Sequence, residues 1–306
     1  SKQGNKLGSV LGSLFMGNTK DTSVSEAAHS LSNNYASSSS LGEHSQYDNE
    51  YNPALLHPIL RSEYRSTVVD FVAPIYGHDL WQCFELSWLN ICGVPQVACA
   101  DIIVPMASLA IVESKSLKLY LNSFHHRQFV DQDEVKALIK TDLTALLSAE
   151  VEVVLRSVSI VLSAVPQAVE PLLLDDLDIS CSEYQRNPKL LLLNADNHQV
   201  SHEQFCSHLL RSHCPVTNQP DWGTLTIRYS GRAINPESLL RYIVSFRQHN
   251  GFHEQCVEQI YSDIMTECRP ELLTVYAQYT RRGGIDINPW RSNDNEPLVL
   301  DRVWRQ

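Results

Sequence analysis

A pentapeptide occurs twice in this chain. Tyr120-Leu121-Asn122-Ser123-Phe124 returns as Tyr242-Ile243-Val244-Ser245-Phe246, each just before a polar stretch with a further phenylalanine, Phe129 or Phe252. The setting returns as well: a β-rich pair precedes each copy and a longer helix follows it. Five residues can match by chance, whereas a match of sequence and setting together points to a duplicated half. Strands in runs, with helices grouped between them, indicate the α+β class with antiparallel sheets. The boundaries that follow are a flexible Ser-rich tail or tag remnant at 1–45, a first half at 46–165, a connector at 166–198 and a second half at 199–306.

Within that frame, Trp81 to Trp88 alternates as a strand, Gly93-Val94-Pro95 marks a turn, and Gln96 to Pro105 reads as the partner strand. Asp131 to Leu147 is helical, with an acidic first turn and an apolar stripe of Val135, Leu138, Ile139, Leu143 and Leu146. Glu150 to Ser159 is β-rich again. The connector reads as irregular, with acidic residues at Asp175, Asp176 and Asp178. Ser201 to Arg211 is expected to form a short helix capped by Ser201. A strand from Trp222 to Ser230 follows, with a turn at Gly231. Pro236 to Cys268 is mostly helical with a break at Asn250-Gly251, Leu272 to Thr280 is a strand, and the end is expected to be a Gly-rich irregular tail. Near the start, Leu7, Val10, Leu11, Leu14 and Phe15 fall at helical spacing, as a surface anchor or as part of a frayed tail.

Charge narrows the partners. A formal net charge of −11 leaves no concentrated basic face for nucleic acid. No run of eighteen apolar residues predicts a membrane span, and no leader pattern opens the chain. The eight cysteines are then read as reduced thiols of a cytoplasmic protein.

Chemistry concentrates in Cys214-Pro215-Val216-Thr217-Asn218-Gln219-Pro220-Asp221. Pro215 fixes its own φ and Pro220 turns Gln219 away from helix, so a stiff loop presents a thiol and a carboxylate together. His202, Cys206, His208, His213 and Cys214 crowd one window, but without the paired spacing of structural zinc sites; no metal is assigned, and His208 and His213 are read as surface residues. Phe252-His253-Glu254 follows the Asn250-Gly251 break at a helix start. It is either a solvated cap or a carboxylate for the N–H edge of a planar heterocycle beside a proton-moving imidazole. Glu113-Ser114-Lys115-Ser116-Leu117-Lys118 is either a solvated helix face or a holder of phosphate, and Arg281-Arg282-Gly283-Gly284 has the same two readings. Neither a G-x-G-x-x-G nor a G-K-[ST] loop occurs.

Four segments in order then carry a resemblance: 113–124, 214–223, 252–256 and 279–292. Together they resemble the 7-cyano-7-deazaguanine reductases, the NADPH-dependent nitrile reductases of queuosine biosynthesis (a tRNA modification), in their long two-module form. The similarity runs from about Tyr51 to the C-terminus and is weakest between 151 and 200. It implies tandem tunnelling-fold halves, each an antiparallel sheet with two helices on one side, joined into a barrel-like oligomer, here a homodimer. It also implies that Cys214 attacks the nitrile to give a covalent thioimide, that Asp221 donates a proton and that His253 assists. Glu113 and Glu254 would grip the deazaguanine ring, with Ser114 and Phe252 beside them. Ser114, Lys115, Lys118, Arg282 and Gly283 would meet NADPH. The rival readings are a cofactor-free thiol hydrolase or amidotransferase, a zinc-dependent pterin-type enzyme of the same fold, and a non-catalytic purine- or pterin-binding module.

Overall fold

The computed structural model describes residues 50–158, 171–296, 301–303 and 305–306. The apolar spacing from Leu7 to Phe15, and with it the 1–45 tail, lies outside the described residues. In chain order the elements are β1 (Pro58–Leu60), α1 (Arg61–Arg65), β2 (Tyr76–Leu89), β3 (Pro95–Pro105), β4 (Ala110–Val112), α2 (Ser114–Asn122), α3 (Gln132–Leu147) and β5 (Glu152–Arg156). There follow β6 (Leu172–Leu173), β7 (Gln199–His213), β8 (Pro220–Arg232), α4 (Pro236–Ser245), α5 (His253–Glu267), β9 (Leu272–Tyr279) and β10 (Ile285–Ser292). The class is α+β, as the strand and helix grouping indicated. Eight strands form one sheet in the order β5-β3-β2-β10-β9-β8-β7-β6, antiparallel throughout except for the short β6–β7 pair.

Two hydrophobic clusters lie along this sheet. In the first, Trp81, Leu86 and Trp88 of β2 pack against Tyr120 and Phe124 and against Val135, Ile139 and Leu143 of α3. The α3 stripe is the one that the periodicity indicated, and Asp131 caps the helix by accepting from Glu134 N at 3.0 Å. Burying each of these large side chains contributes roughly 1.5–3 kcal/mol. The second cluster joins Phe205, Tyr229, Tyr242, Phe246, Val257 and Ile260. Leu174 and Leu191, from the expected connector, are buried in it too.

The repeated pentapeptide makes the same contacts twice. Tyr120 donates to Asp142 Oδ2 at 2.6 Å, and Tyr242 donates to Asp263 Oδ2 at 2.6 Å. Ser123 Oγ donates to Tyr120 O and Ser245 Oγ to Tyr242 O, each at 2.6 Å. Those hydroxyls in turn accept from Asn52 N and Asn187 N, each at 3.2 Å. Both asparagines cap a 3-10 turn, Pro53–Leu55 or Pro188–Leu190. The motif is therefore a fastener that ties a helix to an incoming Asn-Pro turn.

Two segments depart from the expected secondary structure. Ser201 to Arg211 is not a helix but the middle of β7, so Cys214 follows a strand. The cause is two bulges, between Val200 and Glu203 and between Ser207 and Leu210, which break the alternation that marks a strand. His202 sits at one of them with φ +52, a value closed to a helix interior. At the other, Asp175 accepts from Ser207 Oγ at 2.6 Å and from His208 N at 2.9 Å. The expected irregular tail instead contains β10, which pairs with β2 from Ile285↔Cys83 to Ser292↔Tyr76 and with β9 on its other side. It brings Ile285 and Ile287 into the first cluster, so the final strand stitches the two halves of the sheet together. No described helix is long and apolar enough to cross a membrane.

Candidate active site

The β7–β8 tip is rigid for reasons that start in its sequence. Cys214 N donates to Gln219 O and Asn218 N to Cys214 O, both at 2.9 Å, with Asn218 in the left-handed region at φ +55. The stem is clamped from the side. His213 N donates to His249 O at 2.7 Å, and His213 O accepts from Gly251 N at 3.0 Å. That clamp holds the break between α4 and α5 against the loop, which is why half-buried Cys214 and the first turn of α5 face one cleft of about 340 Å³.

Asp221 is the second residue of β8 and is 4% exposed. Its Oδ1 lies 2.9 Å from Arg282 NH2, and its Oδ2 lies 3.3 Å from His253 Nε2. Arg282 NH1 also donates to Gln219 Oε1 at 2.9 Å. The His253 ring stacks on Tyr279 with centroids 3.8 Å apart and planes 4° from parallel. Beneath Tyr279 the neighbour is Gly223, where a Cβ would stand 3.3 Å from the ring carbons, so a larger residue would press on the stack. His253 Nδ1 and Glu254 Oε1 are buried without a hydrogen-bond partner.

Burial, and then the charge of Asp79, push the Glu254 carboxyl up to about 8. Behind it lies a dry ion network. Asp79 pairs with Arg61 at 2.5 Å and Arg291 at 2.8 Å; Glu258 pairs with Arg291 at 2.9 Å and Arg65 at 2.8 Å. Burial opposes the charge on Asp79, yet Arg291 and Arg61 outweigh it and hold that carboxyl below its usual range. The network joins α1, β2 and β10 to α5, one turn beyond Glu254, and so fixes the helix that carries His253 and Glu254.

On the opposite wall Glu113 caps α2, accepting from Lys115 N at 2.9 Å and Ser116 N at 2.8 Å. Lys118 Nζ reaches Glu85 at 3.1 Å. Gly283 has φ +58 and lies so close to Lys118 that a Cβ there would approach its Cδ to 3.0 Å. The solvated readings of both helix starts fail for a physical reason: Glu113, His253 and Glu254 are buried, at 8%, 8% and 1% exposure.

All eleven candidate residues line this one cleft: Cys214, Asp221 and His253; Glu113, Ser114, Phe252 and Glu254; Lys115, Lys118, Arg282 and Gly283. The sequence did not single out the apolar walls Trp81, Ile111, Val112 and Ile287, nor Tyr279 under His253. Their residue types are those of any core, so only the tertiary fold could reveal them. The histidine and cysteine window does not converge, because β7 spreads it along an extended strand. Among the described residues, His202 is the member of that set that joins a group of three metal-ligating side chains, with Asp294 and Glu296, which lie 3.4 and 3.6 Å from Arg228. His208 and His213 are both partly exposed.

Two family models match the chain: "Nitrile reductase, 7-cyano-7-deazaguanine-reductase N-term" over residues 47–155 and "QueF-like protein" over residues 220–297. The NADPH-dependent 7-cyano-7-deazaguanine reductase of Acidovorax ebreus is 48% identical over 267 residues, covering 85% of this chain and 95% of that protein. This chain belongs to the 7-cyano-7-deazaguanine reductase family. Like-named reductases of Polaromonas sp. (48% identical over 88% of this chain and 98% of that protein) and Ralstonia nicotianae (47% over 85% and 94%) give the same result. The two reductase-family matches contain every candidate residue except Cys214, which lies in the interval between them.

Proposed function

We propose that this chain reduces the nitrile of 7-cyano-7-deazaguanine to an aminomethyl group, with NADPH as reductant and Cys214 as covalent nucleophile. It is an oxidoreductase of queuosine biosynthesis on this reading, and the names of its relatives state the NADPH dependence. The observation that carries the reading is the convergence of Cys214, Asp221 and His253 with two buried carboxylates in one cleft.

The residues suit each step. A nitrile carbon is a poor hydride acceptor until a thiolate adds to it. The Cys214 sulfur bonds to that carbon, a C≡N π pair moves to nitrogen, and nitrogen takes a proton through Asp221. His253, against Asp221 Oδ2, passes protons to and from it. The unpartnered Glu254 Oε1 accepts a ring N–H, Glu113 takes a second from the opposite wall, and Phe252 and Ser114 flank the ring. The donor set also fits a phosphate-bearing nucleotide, since Lys115, Lys118 and Arg282 gather three cations at one mouth, beside Ser114 and close-packed Gly283. When bound, NADPH supplies the hydride for each of two reductions. Loss of NADPH absorbance on adding the nitrile tests the proposal: two equivalents per nitrile are expected, and no consumption by folded, reduced protein would refute it.

The architecture extends the same reading. The twice-made fastener supports tandem tunnelling-fold halves at 46–165 and 199–306 with a connector at 166–198, working as a homodimer in the cytoplasm. Eight free cysteines accord with a reducing compartment. The bridge Leu89↔Gln128 brings the β2–β3 tip to the start of α3, and there Ile91, Val94, Val97 and Val130 stand 53–74% exposed. A second copy covering that patch predicts that Val97→Asp gives monomers in sedimentation; an unchanged mass would reject this interface.

A further inference from the structure

β9 and β10 are neighbours in the sheet, yet their ladder runs only from Tyr276↔Trp290 to Thr274↔Ser292. Among the described residues they meet again at the turn, through the bridge Arg282↔Ile285. Between those points the ladder is open, and the opening lies beside the cleft: Ile287 of β10 lines the wall, and Tyr279 of β9 carries the His253 ring. Successive residues of an antiparallel strand turn their peptide groups to opposite sides. Thr280 N donates to Trp222 O of β8 at 2.9 Å, so Tyr279 turns its carbonyl the other way, into the opening. A buried carbonyl left there without a partner would cost about as much as a lost hydrogen bond.

The partner comes from the segment 301–306. Gln306 Nε2 donates to Tyr279 O at 3.4 Å on one side of the opening and to Asn288 Oδ1 of β10 at 2.8 Å on the other. Its Oε1 accepts from Gln278 Nε2 at 3.0 Å and from Val303 N at 3.1 Å. A carboxamide has two N–H donors and an oxygen with two lone pairs, and all are used here. The rest of the segment is seated on the sheet face turned away from the helices. Arg302 donates to Gln82 Oε1 at 2.6 Å and to Asp286 Oδ2 at 2.8 Å. Gln278 Nε2 donates to Asp301 O at 2.8 Å, and Arg305 donates to His208 O at 3.0 Å and Gly223 O at 3.3 Å. The segment thus crosses the sheet from β2 to β7.

Gly223, the register partner of Tyr279, lies against its ring, and His253 stacks on it. These contacts leave open how far β9 stands from β10, and Gln306 sets that spacing. The margin is small, because His253 Nε2 is already 3.3 Å from Asp221 Oδ2, at the long end for a hydrogen bond. We propose that Gln306 is a positioning residue of the reaction: by bridging β9 and β10 it holds Tyr279, and through the stack it aims His253 at Asp221. The proposal rests on the proton-passing role given to His253 above. Its side-chain bonds go to β9, β10 and its own segment, away from Cys214, so it governs the rate of the chemistry and not the binding of either reactant.

The test is Gln306→Leu, which removes the bridge at similar volume, with Gln306→Glu as a second variant. The glutamate keeps acceptors for Gln278 and Val303, which seat the segment, and loses only the bonds to Tyr279 and Asn288. In the NADPH assay each is expected to lower kcat about tenfold, since small misplacements of reacting groups are costly, with both KM values within about twofold of wild type. NMR of histidine labelled at Cε1 reads the stack itself, with the His253 signal assigned by its loss in His253→Gln. The wild-type signal is expected upfield, shielded by the Tyr279 ring, and to move downfield in both variants. General loss of folded protein would lower the amplitude without moving that signal. An unmoved His253 signal, an unchanged kcat, or a loss expressed in KM would each overturn the proposal. Full activity in His253→Gln would instead refute the proton-passing reading beneath it.

Discussion

At the β2–β3 tip, Leu89 donates its N–H to Arg127 O and accepts from Phe129 N, both at 2.9 Å; at the β7–β8 tip, His213 makes the same pair with His249 O and Gly251 N. Pro95 stands opposite Leu89 and Pro220 opposite His213. The next residue differs. Asn90 turns its own Oδ1 back on Cys92 N and Val94 N, at 3.0 and 2.9 Å, and closes the first tip on itself. Cys214 occupies that place in the second, and Asp221 stands where the first has Gln96. One backbone device is thus used twice, and only one copy places a cysteine and an aspartate in the lining of the cleft. Chemistry belongs to the side chains grafted on a frame rather than to the frame.

The comparison breaks most visibly at the cysteines. Cys214→Ala is expected to remove turnover entirely, whereas Cys92→Ala, on the exposed equivalent tip, leaves the NADPH assay within about twofold, as a surface change away from a site does. Loss of activity in both would mean that the first tip also takes part in the chemistry.

A smaller asymmetry lies in the fasteners. Asp142 accepts from two phenols, Tyr51 and Tyr120, while Asp263 pairs its Tyr242 bond with Arg186 at 2.6 Å. An asparagine still accepts from a phenol but leaves a guanidinium without its counter-charge. Asp263→Asn should therefore cost about 2–3 kcal/mol in urea unfolding, against about 1 kcal/mol for Asp142→Asn. Equal losses would contradict the ion-pair account.

For Glu254 the sign of the effect is fixed. Its folded value of about 8 lies above the ordinary 4.5, so the folded chain holds this proton more tightly than the unfolded chain. That contribution is fully present below pH 4.5 and is lost as pH rises toward 8. Glu254→Gln, measured without ligand, should gain on wild type across that window by at least about 1 kcal/mol. Parallel pH profiles would show that Glu254 is ionised throughout.

Much of this was open to reading in the sequence because it is local. The Tyr-x-x-Ser-Phe repeat, the β2 alternation and the α3 stripe each sit in one short window, and the cleft residues travel in motifs. What escaped depends on distant partners. In β7 the bulges hid the strand. In β10, Asp286, Asn288 and Arg291 look like loop residues, yet all are buried, because Asp79 and Glu258 pair with Arg291, Arg302 pairs with Asp286, and Asn288 donates to Asp286 and accepts from Gln306. The network behind Glu254 joins residues more than 200 positions apart, and no window shows that. A second repeated signature, Asn-Pro-x-Leu-Leu at 52–56 and 187–191, is equally local, and it places the start of the second fastener inside the expected connector.

The claim that one tip of two bears the chemistry is tested most directly by mass. The protein is incubated with 7-cyano-7-deazaguanine, without NADPH, and its intact mass and proteolytic peptides are measured. The account predicts a gain of one substrate per chain, mapped to Cys214 and absent from Cys214→Ala. A chain that gains nothing, or that keeps the adduct in Cys214→Ala, would contradict it.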